Sequence, residues 1–122
     1  MDSLIINSTE DTPKVICDKD GSISIIGKSI NEDPAAFYKP VLDWIQEIKV
    51  ENLVIYIKLE YLNTSSSKQI FELLKLAKEN KWKKTISVKW FYDMNDEDEQ
   101  DLGKEFEFLL GIPFEFFNFL SD

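Results

Sequence analysis

The sequence predicts a single α/β domain, residues 1–122, with a mixed β-sheet and three main helices. After residue 30, apolar segments of strand length alternate with segments whose apolar residues recur at helical spacing. Such alternation is typical of parallel strands joined by helical crossovers. Before residue 30, short alternating segments flank an Asp20-Gly21 turn, which indicates antiparallel strands. A chain of 122 residues can bury one core without a disulfide or a metal.

Three strands and a helix are predicted in the first half of the chain. The strands cover residues 4–6, 15–17 and 22–27. Asp33 is a helix cap, followed by Pro34 at the first helical position. Because a proline inside a helix removes a hydrogen bond, Pro40 predicts a short turn first and a regular helix over about residues 38–49. The core face of this helix carries Phe37, Val41, Trp44, Ile45 and Ile48.

The second half predicts a central strand followed by two helix–strand units. Residues 53–57 are continuously apolar, so residues 53–59 are expected to form a central strand covered on both faces. A helix follows residues 63–67, and residues 85–92 form the next strand. The acidic residues 93–101 open a third helix, and Pro113 precedes a last strand over residues 114–120. The core faces of the two helices carry Ile70, Leu73, Leu74 and Ala77, and then Leu102, Phe106, Leu109 and Leu110.

Composition excludes several classes of function. The chain has no histidine and no arginine, so histidine-based catalysis, histidine metal sites and bidentate arginine recognition are excluded. Its four glycines form no phosphate-binding motif, and Cys17 is the only cysteine. A net charge of −9 argues against nucleic acid and anionic membrane surfaces as partners. We therefore expect no enzymatic activity, no cofactor and no metal, in a cytoplasmic protein without a signal peptide or membrane span.

Five small polar residues, 63–67, directly follow the predicted central strand. Asn, Thr and Ser are preferred helix caps, but a cap requires one such residue and not five. The carboxyl ends of parallel strands commonly carry functional residues. A phosphate at this position would face the free N–H groups of a helix N-terminus, with Lys68 beside it. The cluster therefore predicts a regulatory or binding site, with capping alone as the alternative.

The acidic stretch and the tyrosines allow other interpretations. Residues 93–99 suggest calcium, but they lack the glycine and the spaced glutamate of an EF-hand loop. Acidic residues at a helix start are favoured by the helix dipole, so a solvated acidic face is the simpler interpretation. Tyr38, Tyr61 and Tyr92 are expected at the rim of the domain. A metal- or small-ligand-binding α/β domain and a structural oligomer remain as alternatives.

Four blocks of the sequence resemble the SiaC family of bacterial regulatory phosphoproteins. They are FYKPVLDW (residues 37–44), KLEYLNTSSSK (58–68), VKWFYD (88–93) with the acids that follow, and GIPF (111–114). The blocks lie in order along nearly the whole chain, and the second is the most specific. The layout also resembles anti-sigma-factor antagonist (STAS) domains, which is an analogy of architecture only.

The resemblance implies a partner-switching protein. In that family a Ser/Thr protein kinase phosphorylates a threonine in the second block, and a PP2C-type phosphatase removes the phosphate. The unphosphorylated protein binds and activates a diguanylate cyclase, which raises cyclic di-GMP and promotes biofilm formation. The position that matches the phosphorylated threonine is Thr64, with Ser65 and Ser66 as fallback acceptors. The partner-binding residues that we assign from the matching blocks are Tyr61, Asn63, Thr64, Ser65, Lys68 and Asp93.

Overall fold

The computed structural model describes residues 1–120, so the last two residues of the predicted domain lie outside the described part. The order of strands and helices is the predicted one. It runs β1 (Leu4–Ile6), β2 (Lys14–Cys17), β3 (Ser22–Ser29), α1 (Pro34–Glu47), β4 (Asn52–Leu62), α2 (Thr64–Glu79), β5 (Thr85–Asp93), α3 (Glu97–Leu110) and β6 (Phe114–Phe119).

One mixed sheet contains the six strands in sequence order, from β1 at one edge to β6 at the other. β1–β2 and β2–β3 are antiparallel, whereas β3–β4, β4–β5 and β5–β6 are parallel. Gly21 adopts φ +104° in the turn between β2 and β3, a conformation that favours glycine. The structure thus confirms both the predicted hairpin and the central position of β4.

The prediction that β4 is covered on both faces is wrong, because the three helices lie on one face of the sheet. Alternate residues of β4, namely Leu53, Ile55, Ile57 and Leu59, are buried, while Val54, Tyr56 and Lys58 are half-buried. Ile57 lies between Ile25 of β3 and Trp90 of β5, which are buried on the same face. The strand order always advances in one direction, so crossovers of one hand bring every helix to the same side.

The prediction of a turn before a helix starting near residue 38 is also wrong. α1 begins at Pro34, where the side chain of Asp33 accepts a 3.2 Å hydrogen bond from the Ala36 amide. Pro40 lies inside α1 without ending it. Both Pro40 and Ala36 are exposed, so the Ala36 carbonyl that lacks its helical donor can bond to water.

In α3, Phe106 and Leu110 are buried as predicted, but Leu109 is 58% exposed. Gly111 ends this helix in the left-handed conformation, and Lys78 Nζ of α2 donates a 2.6 Å hydrogen bond to the carbonyl of Leu110. Within residues 1–120, no helix combines the length and apolar character needed to cross a membrane.

Candidate functional site

The predicted site lies at the edge of the sheet where the parallel strands end. β3, β4 and β5 run in the same direction, so Ser29, Leu62 and Asp93 all stand at this carboxyl edge. The loops that follow these strands lead into α1, α2 and α3 respectively. The structure therefore brings three helix N-termini to one edge, as expected for functional sites in parallel sheets.

Asn63 is the residue that fixes the start of α2. Its side-chain Oδ1 accepts hydrogen bonds from the Ser66 amide at 2.8 Å and from Ser65 Oγ at 3.3 Å. Its Nδ2 donates to the carbonyl of Asn31 at 3.3 Å, and its own amide donates to the carbonyl of Ser29 at 3.1 Å. The cap predicted within residues 63–67 is therefore Asn63, which also ties α2 to the end of β3.

Thr64 is the first residue of α2, and its side chain is exposed. Among residues 1–120 its hydroxyl makes no hydrogen bond. Ser65 is exposed as well, and Lys68 is exposed one helical turn after Thr64. Ser66, by contrast, is fully buried, and this burial removes it as an accessible fallback acceptor.

A buried polar network lies beneath this helix start. Ser29 Oγ is 2.7 Å from the Tyr38 hydroxyl and donates to Asn31 Oδ1 at 2.9 Å. Ser66 Oγ lies 3.5 Å from the same oxygen of Asn31. Burial raises the pKa of Tyr38 to about 12, and the hydrogen bond with Ser29 opposes this rise. Tyr38 was expected at the rim, but it is fully buried and its hydroxyl belongs to the network that supports α2.

Tyr61 and Asp93 mark the other side of the site, between the end of β4 and the start of α3. Tyr61 is 59% exposed, with Lys28 Nζ 5.2 Å from its ring centroid. Asp93 Oδ1 accepts a 2.9 Å hydrogen bond from the Asn95 amide and shapes the turn into α3. A pocket of about 290 Å³ lies between these elements, lined by Glu60, Tyr61, Leu62, Asp96, Asp98, Glu99 and Leu102.

Glu99 is the buried acid of this pocket and was missed by the sequence analysis. It is 8% exposed, and its Oε2 has no hydrogen-bond partner among the described residues. The pKa of Glu99 is raised to about 7, first by burial and then by the charges of Asp96, Asp93 and Glu60, while a hydrogen bond from the Asp93 backbone amide opposes the rise. The available signal was helical spacing, because Glu99 shares a face with Leu102, Gly103 and Phe106.

In the part of the chain that the structure describes, the carboxylates at this edge are not arranged as a metal-binding group. Within residues 1–120 no group of three or more histidine, cysteine, aspartate or glutamate side chains is arranged to hold a metal ion. A larger, more open pocket of about 800 Å³, lined by Trp82 and Gln46 among others, lies away from the carboxyl edge. It contains none of the predicted site residues.

Comparisons with known proteins agree over nearly the whole chain. A family model described as "SiaC family regulatory phosphoprotein" matches residues 6–119. An uncharacterized protein of Pseudomonas aeruginosa (strain UCBPP-PA14) is 31% identical over 119 residues, which are 93% of this chain and 94% of the relative.

Solved structures show the same architecture. SiaC of Pseudomonas aeruginosa superposes with a TM-score of 0.83 at 28% identity, covering 98% of this chain and all of that one (100%). A chain from the crystal structure of the diguanylate cyclase SiaD in complex with its activator SiaC, also from Pseudomonas aeruginosa, gives a TM-score of 0.82 at 28% identity. It covers 95% of this chain and 99% of that one.

Proposed function

The chain belongs to the SiaC family of regulatory phosphoproteins, and from this premise we propose that it binds and activates a diguanylate cyclase while Thr64 is unphosphorylated. A Ser/Thr kinase would add the phosphate and a PP2C-type phosphatase would remove it, in the cytoplasm. The output would be a change in cyclic di-GMP and in biofilm formation. The observation that carries the proposal is the exposed Thr64 hydroxyl, unbonded within the described chain, at the first position of α2.

Family membership confirms the expectation that this chain is a regulatory protein and not an enzyme. The composition points the same way, because a chain without histidine lacks the usual general base near neutral pH. A regulatory protein of this kind acts through its surface.

The position of Thr64 suits reversible phosphorylation. A kinase must reach the hydroxyl, and Thr64 is exposed at a helix start that Asn63 holds in place. The phosphate would lie near the free N–H groups and the positive end of the α2 dipole, which stabilise an anion. Lys68 lies four residues along the same helix face and can pair with it. The product is thus stabilised without a change of fold.

The same phosphate would disturb a docked partner. It adds about 1.5 to 2 negative charges at neutral pH. The chain already carries −9, and the exposed Tyr61 and Ser65 lie within three residues of Thr64. A partner that covers this surface would have to strip water from a doubly charged group, which is costly. Repulsion and desolvation at the interface, and not refolding, would therefore switch binding off.

The similarity to the chain in the SiaD complex supports the choice of partner class. That solved structure contains a diguanylate cyclase together with its activator, and this chain superposes on the matching chain over 95% of its own length. A diguanylate cyclase of the same host is therefore the partner to test. Tyr61, Asn63, Thr64, Ser65, Lys68 and Asp93 are the residues that we propose meet it.

The experiment measures binding of this cyclase by interferometry and its synthesis of cyclic di-GMP, with wild type, Thr64→Ala and Thr64→Asp. Gln46→Glu is the matched charge control, because Gln46 is exposed in the last turn of α1, away from the carboxyl edge. Wild type and Thr64→Ala should bind and activate equally. Thr64→Asp should bind more weakly, and Gln46→Glu should bind like wild type.

Mass spectrometry of the protein from its native host then identifies the phosphorylated residue. Phosphate on Thr64 supports the assignment, whereas phosphate only on Ser65 would move the switch by one residue. If no variant differs from wild type and the cyclase neither binds nor responds, the proposed function is wrong.

A further inference from the structure

The pocket between the end of β4 and the start of α3 is lined by acidic side chains, and one buried carboxylate oxygen has no hydrogen-bond donor among the described residues. Four carboxylates line it: Glu60 and Asp98 are exposed, Asp96 is half-buried, and Glu99 is buried. Of these, Glu99 carries an oxygen, Oε2, that finds no donor among the described residues. A buried acceptor without a donor is costly, so a ligand that brings a donor would be favoured.

The groups around the pocket define what this ligand must be. Burial, and then the negative charges of Asp96, Asp93 and Glu60, raise the pKa of Glu99, while a hydrogen bond from the Asp93 backbone amide lowers it. Lys28 Nζ lies over the Tyr61 ring, 5.2 Å from its centroid, and makes no ion pair with Glu99. The potential in the pocket is therefore negative. A ligand must be positively charged and must offer N–H donors.

Two features distinguish a basic side chain from a metal ion. No set of three ligating side chains converges within residues 1–120, and calcium requires six or more oxygen ligands. The walls of the pocket also include Tyr61, Leu62 and Leu102. The apolar surface of these residues can pack against the aliphatic stem of a long basic side chain, and the Tyr61 ring can also contact its charged end.

We propose that this pocket receives a lysine or arginine side chain of the partner protein, with Glu99 as its ion-pairing residue. The partner identity rests on the proposed function, since Tyr61 and Leu62 of the pocket wall lie three and two residues before Thr64 in the sequence. The switch and the pocket then belong to one continuous surface. This chain is acidic and has no arginine, so the pocket provides the negative charge and the partner supplies the positive charge.

The binding reaction should be coupled to a proton. In the free protein the carboxyl of Glu99 is partly protonated at neutral pH, because its pKa is raised to about 7. A cation in the pocket favours the ionised form, so binding releases a proton when it occurs near pH 7. Affinity for the cation should therefore rise as the pH increases from 6 to 8.

The test uses the isolated chain and needs no cyclase. Amide NMR spectra are followed during titration with N-ethylguanidinium, n-butylammonium, magnesium or calcium, with potassium chloride as the ionic-strength control, at pH 8. One of the organic cations should cause saturable shifts at residues 60–62 and 96–102. Glu99→Gln should weaken this binding about fivefold or more, since a hydrogen-bonded ion pair contributes more to the binding free energy when it is buried than when it is exposed. Glu105→Gln is the matched control, on an exposed position of the same helix.

Stronger binding of the guanidinium probe would identify arginine, and stronger binding of the ammonium probe would identify lysine. No saturable shift, an equal response in Glu99→Gln, or tighter binding of a divalent metal would overturn the proposal. Asp98→Asn, at an exposed acid of the rim, provides a second variant that should weaken binding less than Glu99→Gln.

Binding of the cyclase by Glu99→Gln then tests the partner. Loss of probe binding together with weaker cyclase binding supports the proposal. Loss of probe binding with unchanged cyclase binding overturns the assignment to this partner. If wild type binds the probe but not the cyclase, the proposed function fails while the cation pocket stands.

Discussion

The indole N–H of Trp90 donates a 3.1 Å hydrogen bond to the main-chain carbonyl of Glu99. Trp90 is buried in β5 beside the central strand, so this bond fastens the first turn of α3 to the middle of the sheet. One turn later, Gly103 lies against the same ring. The two contacts set the position of α3 and place the Glu99 side chain in the pocket at the carboxyl edge.

We predict that Gly103→Ala destabilises the protein by about 1–3 kcal/mol through overpacking. A Cβ at this position would lie 2.7 Å from Trp90 Nε1 and 2.8 Å from two ring carbons, and the buried ring has little room to move. In an open helix the same change gains about 1 kcal/mol, so the sign of the effect is informative. Urea denaturation followed by tryptophan fluorescence measures it.

Glu105→Ala is the control for Gly103→Ala, because Glu105 is exposed in the same turn of α3. It should change the free energy of unfolding by less than about 0.5 kcal/mol. A Gly103→Ala variant as stable as wild type would show that α3 is not packed tightly against Trp90.

Glu99 should make stability fall as the pH rises. Its folded pKa of about 7 exceeds its ordinary value of 4.5, so the folded state binds more protons between these values. The contribution of protonated Glu99 to the free energy of unfolding is fully present below pH 4.5 and is lost as the pH rises through about 7. Glutamine does not ionise, so the stability of Glu99→Gln does not fall in this way. The free energy of unfolding of Glu99→Gln should exceed that of wild type by about 1–2 kcal/mol at pH 8, a value reduced for solvent screening, and should approach the wild-type value at pH 5.

Urea denaturation of wild type and Glu99→Gln at pH 5, 6, 7 and 8 tests this dependence. The chain has no histidine, so few other groups titrate in this range. Glu105→Gln, an exposed substitution on the same helix, should keep the wild-type profile. Parallel profiles for wild type and Glu99→Gln would contradict the raised pKa.

The cap Asn63 and the proposed phosphorylation site Thr64 are different residues, so substitutions at the two positions should differ in their effect on the free energy of unfolding. Asn63→Ala should cost about 1 kcal/mol, because it removes the acceptor of the Ser66 amide. Thr64→Ala should cost less than about 0.5 kcal/mol, because the hydroxyl has no partner among the described residues. Thermal and urea denaturation measure both. Equal losses in the two variants would mean that Thr64 supports the helix start after all.

Pro40→Ala should stabilise the protein by about 1–2 kcal/mol. The new amide can donate to the Ala36 carbonyl, and a proline inside a helix costs about 3 kcal/mol relative to alanine. Part of this gain is offset, because alanine also gives the unfolded chain more freedom. Lys39→Ala is the control: it breaks only the exposed 3.0 Å Lys39–Asp43 pair and should matter little. A less stable Pro40→Ala would show that the proline is needed for packing.

The order of strands and helices followed from the sequence because its causes are local. Apolar periodicity marked each helix and strand, and Asp20-Gly21 marked the turn, where Gly21 indeed adopts a positive φ. Asp33 caps α1 as predicted, and Asn63 provides the cap expected within residues 63–67. These features depend on neighbours a few residues apart, which the sequence displays directly.

Tertiary structure decided which polar groups became buried. Ser65 and Ser66 are identical in sequence terms, yet only Ser66 turns inward toward Asn31, 35 residues earlier in the chain. Glu99 looked like one more solvated acid, but the docking of α3 on Trp90 encloses it. Whether a helix face meets water or the sheet depends on crossovers and contacts between distant segments. Local periodicity therefore predicted the helices, while only the packed sheet determined the environment of Ser66 and Glu99.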